Sequence, residues 1–536
     1  MIFNKKKQNN ESKTKTPSPN REEQTGEKTP LISDLQDSLQ YIKDTLGEST
    51  DIIFREIRIG KENTIKAGII YTDGLSDART LQNFLMETLM IDIKNTEIES
   101  SLATTSNLMN TLKDIAITVG EIQDITNYDD LLIALLSGDA IFLVDGNSKG
   151  FVFGNKQWAE RGVTEADSQS VVRGPREGFS ENLRINTALV RRIIKDPNLW
   201  LESKIIGRRS KTNIAIMYIK GIAKEQVIQE VKSRLDQIDI DGVLESSYIE
   251  ELIQDSKLSP FPTVFNSERP DIVSAALLEG RVAILVDGTP FVLVVPAIFT
   301  QFFQSNEDYY QRSIIASLIR LLRFFAFVIS LLAPAFYISI TTFHQEMIPT
   351  PLLISLASQR ENVPFPVFIE VMIMEIAFEI LREAGLRMPR VIGPAMSIVG
   401  GFVIGTAAVD AGIISAAIVI VVSITAIASF VSPTYDIAFA GRILRFIYIG
   451  LAAMFGLYGI TLALIVSVLH LCSLKSFGIS YMYPLAPFNL SSQKDTFIRL
   501  SMRKMIKRPS IVSDDEVRQK QTKTESNKVE QEAEQS

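Results

Sequence analysis

The stretch FFAFVISLLAPAFYISI, residues 324–340, carries no charged side chain. With its flanks it reaches the roughly 20 apolar residues that a helix needs to cross the hydrocarbon core of a bilayer. Arg320 and Arg323 precede it, and Pro334 within it is expected to kink the helix, which membrane helices tolerate. The residues before about position 320 are typical of water-soluble protein. The sequence therefore predicts a large aqueous module joined to a membrane.

Further apolar runs follow toward the carboxyl end, and they predict an all-α polytopic membrane domain over residues 311–475. Two of the runs are separated only by Asp410 and Ala411, which predicts a tight helical hairpin. The predicted spans are residues 324–343, 391–409, 412–431 and 446–472.

One apolar segment, PFPVFIEVMIMEIAFEILRE (364–383), is interrupted by Glu370, Glu375, Glu379 and Glu383. On a helix the last three carboxylates fall within about 80° of one another, whereas Glu370 points elsewhere. An ionised side chain at mid-membrane costs at least about 2.5 kcal/mol, so these acids are expected to face water, a partner or a pore. A helix lying along the membrane surface with its acids in water is the alternative.

Small residues recur every four positions in the span at 391–409, at Gly393, Ser397, Gly401 and Gly405. Such a row makes a smooth groove along one face of a helix, and it supports close helix packing in lipid. The pattern fits packing between copies of the chain or packing inside one subunit.

The soluble part contains an internal repeat that predicts two tandem α+β units, residues 31–155 and 156–310. AGIIYTDG (67–74) aligns with IAIMYIKG (214–221) at a shift of 214 − 67 = 147 positions. LLSGDAIFLVDG (135–146) then aligns with LLEGRVAILVDG (277–288) at a shift of 277 − 135 = 142. Each of the second pair ends in Asp-Gly, a strong hairpin signal. Chance recurrence of short strands is the alternative reading.

The segment RGPREGF opens the second unit, with Arg173, Gly174, Pro175, Arg176 and Phe179 as its candidate functional residues. Its arginines and the helix start that follows can hold an anion. The segment lacks the Gly-Lys-Ser/Thr ending of a phosphate-binding loop. A docking turn with a structural role is the simpler alternative.

Composition excludes several classes of function. The chain has 536 residues and a net charge of −7, which argues against nucleic-acid binding. The chain has one cysteine and two histidines, too few for an intrachain disulfide and few for a metal site or a histidine-based catalytic relay. We therefore predict that the protein binds no metal or cofactor and is not an enzyme. We predict disordered ends at 1–30 and 509–536, a basic membrane-proximal segment at 476–508, and both ends in the cytoplasm.

Four stretches resemble one known family: RGPREGFSENLRIN (173–186), EGRVAILVDGTPFVLVVP (279–296), PFPVFIEVMIMEIAFEILREAG (364–385) and RMPRVIGPAMSIVGGFVIGTAAVDAGIISAAIVIVV (387–422). They are similar to the A subunit of GerA-type spore germinant receptors, and the resemblance runs from about residue 35 to about residue 510. The fold class is thus an α+β tandem-repeat soluble domain followed by an all-α polytopic membrane domain.

The resemblance implies a multi-pass protein of the spore inner membrane that acts with a transporter-like B subunit and a lipoprotein C subunit. It also implies a homo-oligomer that works as a ligand-gated cation channel, with the amino-terminal domain on the spore-core side. A non-conducting scaffold that couples a nutrient-binding partner to later steps is the alternative. An enzyme that binds a phosphate ligand at the RGPREGF turn is a remoter one.

Overall fold

The computed structural model describes residues 28–59, 65–77, 80–81, 122–156, 166, 169, 171–387, 405–490, 492–509, 511–513 and 517–518. Two antiparallel five-stranded sheets make up the amino-terminal part, and the carboxyl-terminal part is helical. Most of the ends predicted to be disordered lies outside the described residues, as do Gly393, Ser397 and Gly401 of the small-residue row.

Helices Leu35–Thr45 and Tyr128–Leu136 of the first unit cover one face of its sheet. Apolar side chains of those helices pack on Ile70, Ile141 and Val152 of the strands. In the described part of the chain, its elements are α1 Leu35–Thr45, β1 Ile52–Ile59, β2 Ile65–Thr72, β3 Ile122–Ile125, α2 Tyr128–Leu136, β4 Ala140–Val144 and β5 Gly150–Phe153.

The second unit has helices on both faces of its sheet, and each face carries its own apolar core. Its elements are α3 Leu183–Ile193, β6 Leu199–Ile206, β7 Thr212–Ile219, α4 Glu225–Asp236, α5 Ser246–Ile253, β8 Phe265–Ser267, α6 Pro270–Leu278, β9 Val282–Val286, β10 Val292–Val295 and, after a short 3-10 turn at Phe299–Phe303, α7 Glu307–Tyr310.

The two sheets share one topology, in agreement with the predicted repeat. The strand order is β1-β2-β4-β5-β3 in the first and β6-β7-β9-β10-β8 in the second. The aspartate of each Asp-Gly pair accepts a hydrogen bond from the start of the first helix of its unit. Asp145 accepts from the Leu35 backbone N–H at 3.2 Å, and Asp287 accepts from the Leu183 backbone N–H at 3.1 Å. Each hairpin thereby fixes the first helix of its own unit.

The helical part contains long helices joined by short connections. Two of them, α8 and α12, are long and apolar enough to cross a membrane by length and composition. In the described residues, its elements are α8 Ser313–Thr342, a 3-10 turn at Gln345–Met347, α9 Thr350–Arg360, α10 Val367–Arg387, a helical turn at 405–410, α11 Ala416–Phe430, α12 Tyr435–Ser473, and the short strands β11 Lys475–Ser476 and β12 Ile479–Ser480.

The span predicted at 446–472 lies within α12, and α12 reverses direction at Gly456. This glycine has φ 61° and ψ −141°, a conformation that only glycine adopts readily. A Cβ at this position would lie 3.0 Å from atoms of Phe343 and His344. The hydroxyls of Tyr448 and Ser467 lie 3.0 Å apart, so the two halves of α12 run back along one another.

The other predicted spans meet the structure in part. The span predicted at 412–431 corresponds to α11, which has 15 residues, and the span at 391–409 lies mostly outside the described residues. Between 405–410 and α11 the chain makes a short connection, and a Cβ on Gly405 would lie 3.5 Å from Val419.

The chain beyond α12 packs on the second unit, and this packing includes residues 511–513 of the tail predicted to be disordered from residue 509. Val512 and Ser513 are buried, and Ser513 forms a β-bridge with Ala223. Ser476 accepts a hydrogen bond from the Ala297 backbone N–H and donates one to the Thr263 carbonyl. The polar composition of this segment predicted solvation, but its few apolar side chains find a surface on the second unit.

Candidate functional site

Helix α10 carries the four predicted acids. Pro364 and Pro366 stop any earlier helix, and the carbonyl of Pro366 accepts the first helical hydrogen bonds, from the backbone N–H groups of Ile369 and Glu370. The residues that follow are apolar or long unbranched side chains that favour helix. The helix packs against α11 and α8, and its buried residues lie in its first half: Val367, Glu370, Val371, Met374 and Glu375.

Glu370, near the start of α10, is buried. Its Oε2 accepts a hydrogen bond of 2.9 Å from the backbone N–H of Ser415, at the start of α11. The guanidinium of Arg360, at the end of α9, lies 3.4 Å from its other oxygen. Glu370 therefore joins the starts of α10 and α11 to the end of α9.

Glu375 forms a fully buried ion pair with Arg445 of α12. The distance from Arg445 Nη1 to Glu375 Oε2 is 2.7 Å, and the two side chains are 1% and 0% exposed. The Nε of Arg445 also donates to the carbonyl of Ser330 in α8 at 2.6 Å. This contact therefore connects three helices through one guanidinium.

Glu379 lies one turn further along α10 and pairs with Arg442 at 3.0 Å, while Arg382 lies 3.7 Å from its second oxygen. Arg382 donates to the hydroxyl of Ser429 in α11 at 2.5 Å. Glu383, by contrast, is exposed and pairs with Arg387 at 2.6 Å on the same helix. Burial thus decreases from Glu375 to Glu383.

We call Glu375, Glu379, Arg382, Arg442 and Arg445 the charge cluster. Its three arginines and two glutamates give it a formal charge of +1. Removing one partner of a buried pair leaves an uncompensated charge, which costs about 3 to 5 kcal/mol. In the described part of the chain, Oε1 of both glutamates and Nε of Arg382 and Arg442 are buried without a hydrogen-bond partner. Buried polar atoms of this kind are commonly satisfied by water or ions.

The arginine partners of these acids were not predicted. From the sequence, Glu375 and Glu379 were expected to face water, a partner or a pore. The structure instead places arginines of the same chain beside them. The available signal was spacing: Arg442 and Arg445 are three apart in an apolar run, and Glu375 and Glu379 are four apart in another. Both spacings put a pair on one helix face.

The RGPREGF segment is a turn that packs against other residues of the second unit. Gly174 has φ 136° and sits against the ring of Tyr310, the carbonyl of Pro175 accepts from Arg269 at 3.0 Å, and Phe179 is buried in the core of the second unit. Arg173 and Arg176 are exposed. These contacts favour the docking alternative.

The helix start after this segment is already occupied. The side chain of Asn182 accepts hydrogen bonds from the backbone N–H groups of Arg184 and Ile185, and Asp287 accepts one from Leu183. Because an anion at a helix start needs those N–H groups, the geometry gives no support to the anion-binding alternative.

A second buried network lies where α8 leaves the second unit. Arg320 of α8 bonds Asp308 of α7 and Asp495 of the carboxyl-terminal segment, each at 2.8 Å. Arg323 adds a contact of 2.9 Å to Asp308. Burial raises the pKa of Asp495, and Arg320 opposes that shift. The network ties α8, the second unit and the carboxyl-terminal segment together.

Within the described residues, no group of three or more His, Cys, Asp or Glu side chains is placed to hold a metal ion. The histidines serve in packing contacts instead. His470 shares a hydrogen bond of 2.8 Å with Ser259, and His344 lies against Gly456.

Known proteins are similar to this chain over nearly its whole length. Residues 40–511 match the family described as Bacillus/Clostridium GerA spore germination protein. Spore germination protein KA of Bacillus subtilis (strain 168) is 47% identical over 523 residues, 97% of this chain and 95% of that protein. Spore germination protein GerLA of Bacillus cereus is 38% identical over 495 residues, 92% of this chain and 99% of that protein.

A solved structure is also similar to the amino-terminal part. The crystal structure of the N-terminal domain of the A subunit of the Bacillus megaterium spore germinant receptor GerK3 is 38% identical to this chain. It covers 51% of this chain and 99% of its own, with a TM-score of 0.42.

Proposed function

The chain belongs to the GerA family of Bacillus and Clostridium spore germination proteins, and from this premise we propose that it is the A subunit of a nutrient germinant receptor in which several copies enclose a gated cation conduit. The receptor lies in the spore inner membrane, and the chain acts there with a transporter-like B subunit and a lipoprotein C subunit. The tandem units and the carboxyl-terminal segment lie on the spore-core side.

Exposed apolar side chains on the helices support the membrane location. Phe325 on α8, Ile427 on α11 and Leu469 on α12 are 60%, 68% and 64% exposed. Exposed apolar side chains recur along all three helices, and large exposed apolar patches are rare on soluble monomers. The carboxyl-terminal segment contacts the second unit directly, which supports placing both chain ends on one side of the membrane.

The charge cluster is the observation that carries the proposal. Ionisable groups inside a membrane helix bundle are rare, and they commonly mark ion or proton paths. In the described chain Arg445 and Arg442 neutralise Glu375 and Glu379. Movement of α10 away from α12 would release both carboxylates, and acidic rings raise the local concentration of cations. The closed state is then the paired state and the open state the unpaired one.

The contacts at the base of the helices supply the coupling. Ile437 and Leu471, at the two ends of α12, lie in the same apolar core as Phe302 of the second unit. Arg320 joins α8 to Asp308 and Asp495. A change in the second unit or its partners therefore reaches α8 and α12 through packed side chains.

The copies are proposed to meet at the far end of the bundle. Helix α9 has no buried residue, although it contains Leu352 and Ile354, which are 52% and 64% exposed. A helix that is apolar and uncovered is suited to contact with a second copy.

Ion flux from vesicles tests the conduit. The full-length protein, reconstituted with its B and C partners and loaded with Rb⁺, is expected to release the ion on nutrient addition. Arg442→Gln should raise basal release several-fold because Glu379 loses its counter-ion. Glu379→Gln should lower stimulated release and cation selectivity, and Glu383→Gln serves as the matched control because Glu383 is exposed.

A non-conducting scaffold is the rival function, and the same experiment separates the two. If correctly assembled receptor passes no ion with or without nutrient, the conduit is rejected and a coupling role remains. If Rb⁺ flows but none of the glutamate or arginine variants changes it, the charge cluster is removed from the mechanism.

A further inference from the structure

A cavity of about 410 Å³ lies between the second unit and the carboxyl-terminal segment. Its walls come from α6, from residues 301–310 and from Met502, Arg508 and Arg518 of the carboxyl-terminal segment. The volume falls within the range of small-molecule sites, roughly 300 to 1,000 Å³. None of its lining residues belongs to the charge cluster, so the cavity is separate from the site described above.

One side of the cavity is apolar. Ile272 and Ala275 of α6, together with Phe265, Leu278 and Met502, form this wall. Apolar lining with a few convergent polar groups is the usual composition of a site for a small organic molecule.

The polar end of the cavity contains a buried arginine with unused donors. Arg281 is 4% exposed, and its Nη1 donates to the carbonyl of Pro296 and to the side chain of Gln301. The nearest carboxylate oxygen, on Glu279, is 3.9 Å from Nε, too far for a hydrogen bond. Among the described residues, Nε and Nη2 of Arg281 have no hydrogen-bond acceptor. Burial lowers the pKa of Arg281 accordingly.

Two other buried arginines of this chain bind a carboxylate through Nε and Nη2 of the guanidinium. Arg191 uses Nε and Nη2 to hold both oxygens of Asp51, and Arg269 uses the same two atoms to hold Asp271. Paired donation of this kind matches the geometry of a carboxylate. Arg281 is buried like these two, but its Nε and Nη2 bind no carboxylate among the described residues.

The carboxylates that line the cavity already have partners. Asp271 is bound by Arg269 at 2.7 Å and by the hydroxyl of Tyr310 at 2.6 Å, and Glu279 is bound by Arg518 at 2.6 Å. A ligand cation would have to displace an arginine from one of them, whereas a ligand anion finds donors on Arg281. The charge of the cavity therefore favours an anion.

We propose that this cavity binds a small organic carboxylate, with its carboxylate on the Nε and Nη2 edge of Arg281 and its apolar body against Ile272, Ala275 and Leu278. The proposal is independent of ion conduction. It is also specific to the second unit, since the position equivalent to Arg281 in the first unit, 281 − 142 = 139, is Asp139. Met502, Arg508 and Arg518 line the cavity, so an occupant would also contact the carboxyl-terminal segment.

Titration of the full-length protein in detergent with benzoate, phenylacetate and hexanoate tests the site, with benzamide as the neutral match of benzoate. At least one carboxylate is expected to bind, and benzamide should bind at least about tenfold more weakly than benzoate if benzoate is that ligand. Arg281→Gln should weaken carboxylate binding at least about tenfold. Arg209→Gln, on an exposed turn, is the matched control and should bind normally.

Ala275→Phe gives a second variant that keeps Arg281 in place, for the case that Arg281→Gln does not fold. It should block binding by filling the apolar side, while the thermal unfolding of the protein stays cooperative. The site is refuted if none of the three carboxylates binds at millimolar concentration, if benzoate binds and benzamide binds equally tightly, or if binding survives in folded Ala275→Phe.

Discussion

The first and second units share a sheet topology but are closed by different pieces of chain. In the first unit Ser76 forms a β-bridge with Lys156, which follows β5 directly. The equivalent residue in the second unit, 76 + 147 = 223, is Ala223, and it pairs instead with Ser513, 513 − 223 = 290 positions later. After β10 the chain leaves toward α8, so a local segment is no longer present to close this edge.

The difference shows how one of two duplicated units can become structurally dependent on the helical part of the chain. The first unit is completed by its own sequence, whereas the second requires chain that has already passed through the helical part. Its core also includes Phe327 of α8 and Leu471 of α12. The second unit is therefore in a position to transmit conformational changes to and from the helices.

The largest effect on stability is expected from a substitution that removes the ion pair between the two units. Arg191 is 0% exposed and bonds Asp51 at 2.6 and 2.9 Å. When the helix starts Leu183 and Leu35 are aligned, 183 − 35 = 148, its counterpart in the first unit is Lys43, which lies over the ring of Phe54. Arg191→Met should cost about 3 to 5 kcal/mol of unfolding free energy, because Asp51 stays buried without its partner. Lys43→Met should cost less than about 1 kcal/mol. Chemical denaturation of the full-length protein in detergent measures both.

The same experiment has a built-in check. Combining Asp51→Asn with Arg191→Met should restore part of the loss, because the unpaired charge is gone. Equal losses for Arg191→Met and Lys43→Met would show that the units do not depend on this pair.

The second effect concerns pH and belongs to the second unit. Burial, with a smaller contribution from the nearby carboxylate of Asp436, raises the pKa of Glu250 in α5 to about 7; Glu245 adds to the shift and a hydrogen bond from Asn266 opposes it. The folded state holds this proton more tightly than the unfolded chain, whose pKa is near 4.5. Stability should thus be greatest below about pH 4.5 and fall by about 3 kcal/mol as the pH rises to about 7, then level off.

Unfolding free energies at pH 5, 6, 7 and 8 measure this slope. Glu250→Gln should remove it, while Glu251→Gln, on the exposed face of the same helix, should leave it in place. An unchanged slope in Glu250→Gln would assign the pH dependence to another group.

The third and smallest effect tests the closing segment. Gly280 has φ 94°, and a Cβ there would lie 3.0 Å from the carbonyl oxygens of Ile222 and Val512. Gly288 has φ 90°, and a Cβ there would meet nothing within 4 Å. Gly280→Ala should therefore cost about 2 kcal/mol or more, and Gly288→Ala about 1 kcal/mol from the backbone alone.

Limited proteolysis distinguishes loss of closure from general destabilisation. Gly280→Ala should make the chain after residue 509 more susceptible to cleavage, and Gly288→Ala should not. Equal susceptibility in the two variants would mean that Val512 and Ser513 do not close the second unit.

The sequence predicted the parts of the fold that follow from local patterns. The offsets of 147 and 142 positions located strands β2 and β7 and the hairpins at Asp145-Gly146 and Asp287-Gly288. Alternation and turn residues decide such elements within a few positions. The reversal at Gly456 was missed because an isolated glycine in an apolar run is also tolerated in a membrane helix.

The candidate site was half predicted. The acids of α10 were identified because carboxylates in an apolar run are costly wherever they lie. The contact of Arg445 with Glu375 could not be predicted, since the two residues are 445 − 375 = 70 positions apart and no local pattern indicates that they meet. The family resemblance found in the sequence is confirmed, while the oligomer and the conduit stay proposals.

By itself the sequence determined where the chain turns, which runs are apolar, that one unit is repeated, and which family the protein belongs to. These properties depend on the order of neighbouring residues, because hydrogen bonding and side-chain periodicity act over a few positions. Only the tertiary structure decided that Arg445 neutralises Glu375 and that Ser513 completes the second unit. Those pairings depend on which surfaces exclude water together, and that is settled only when distant segments pack against one another.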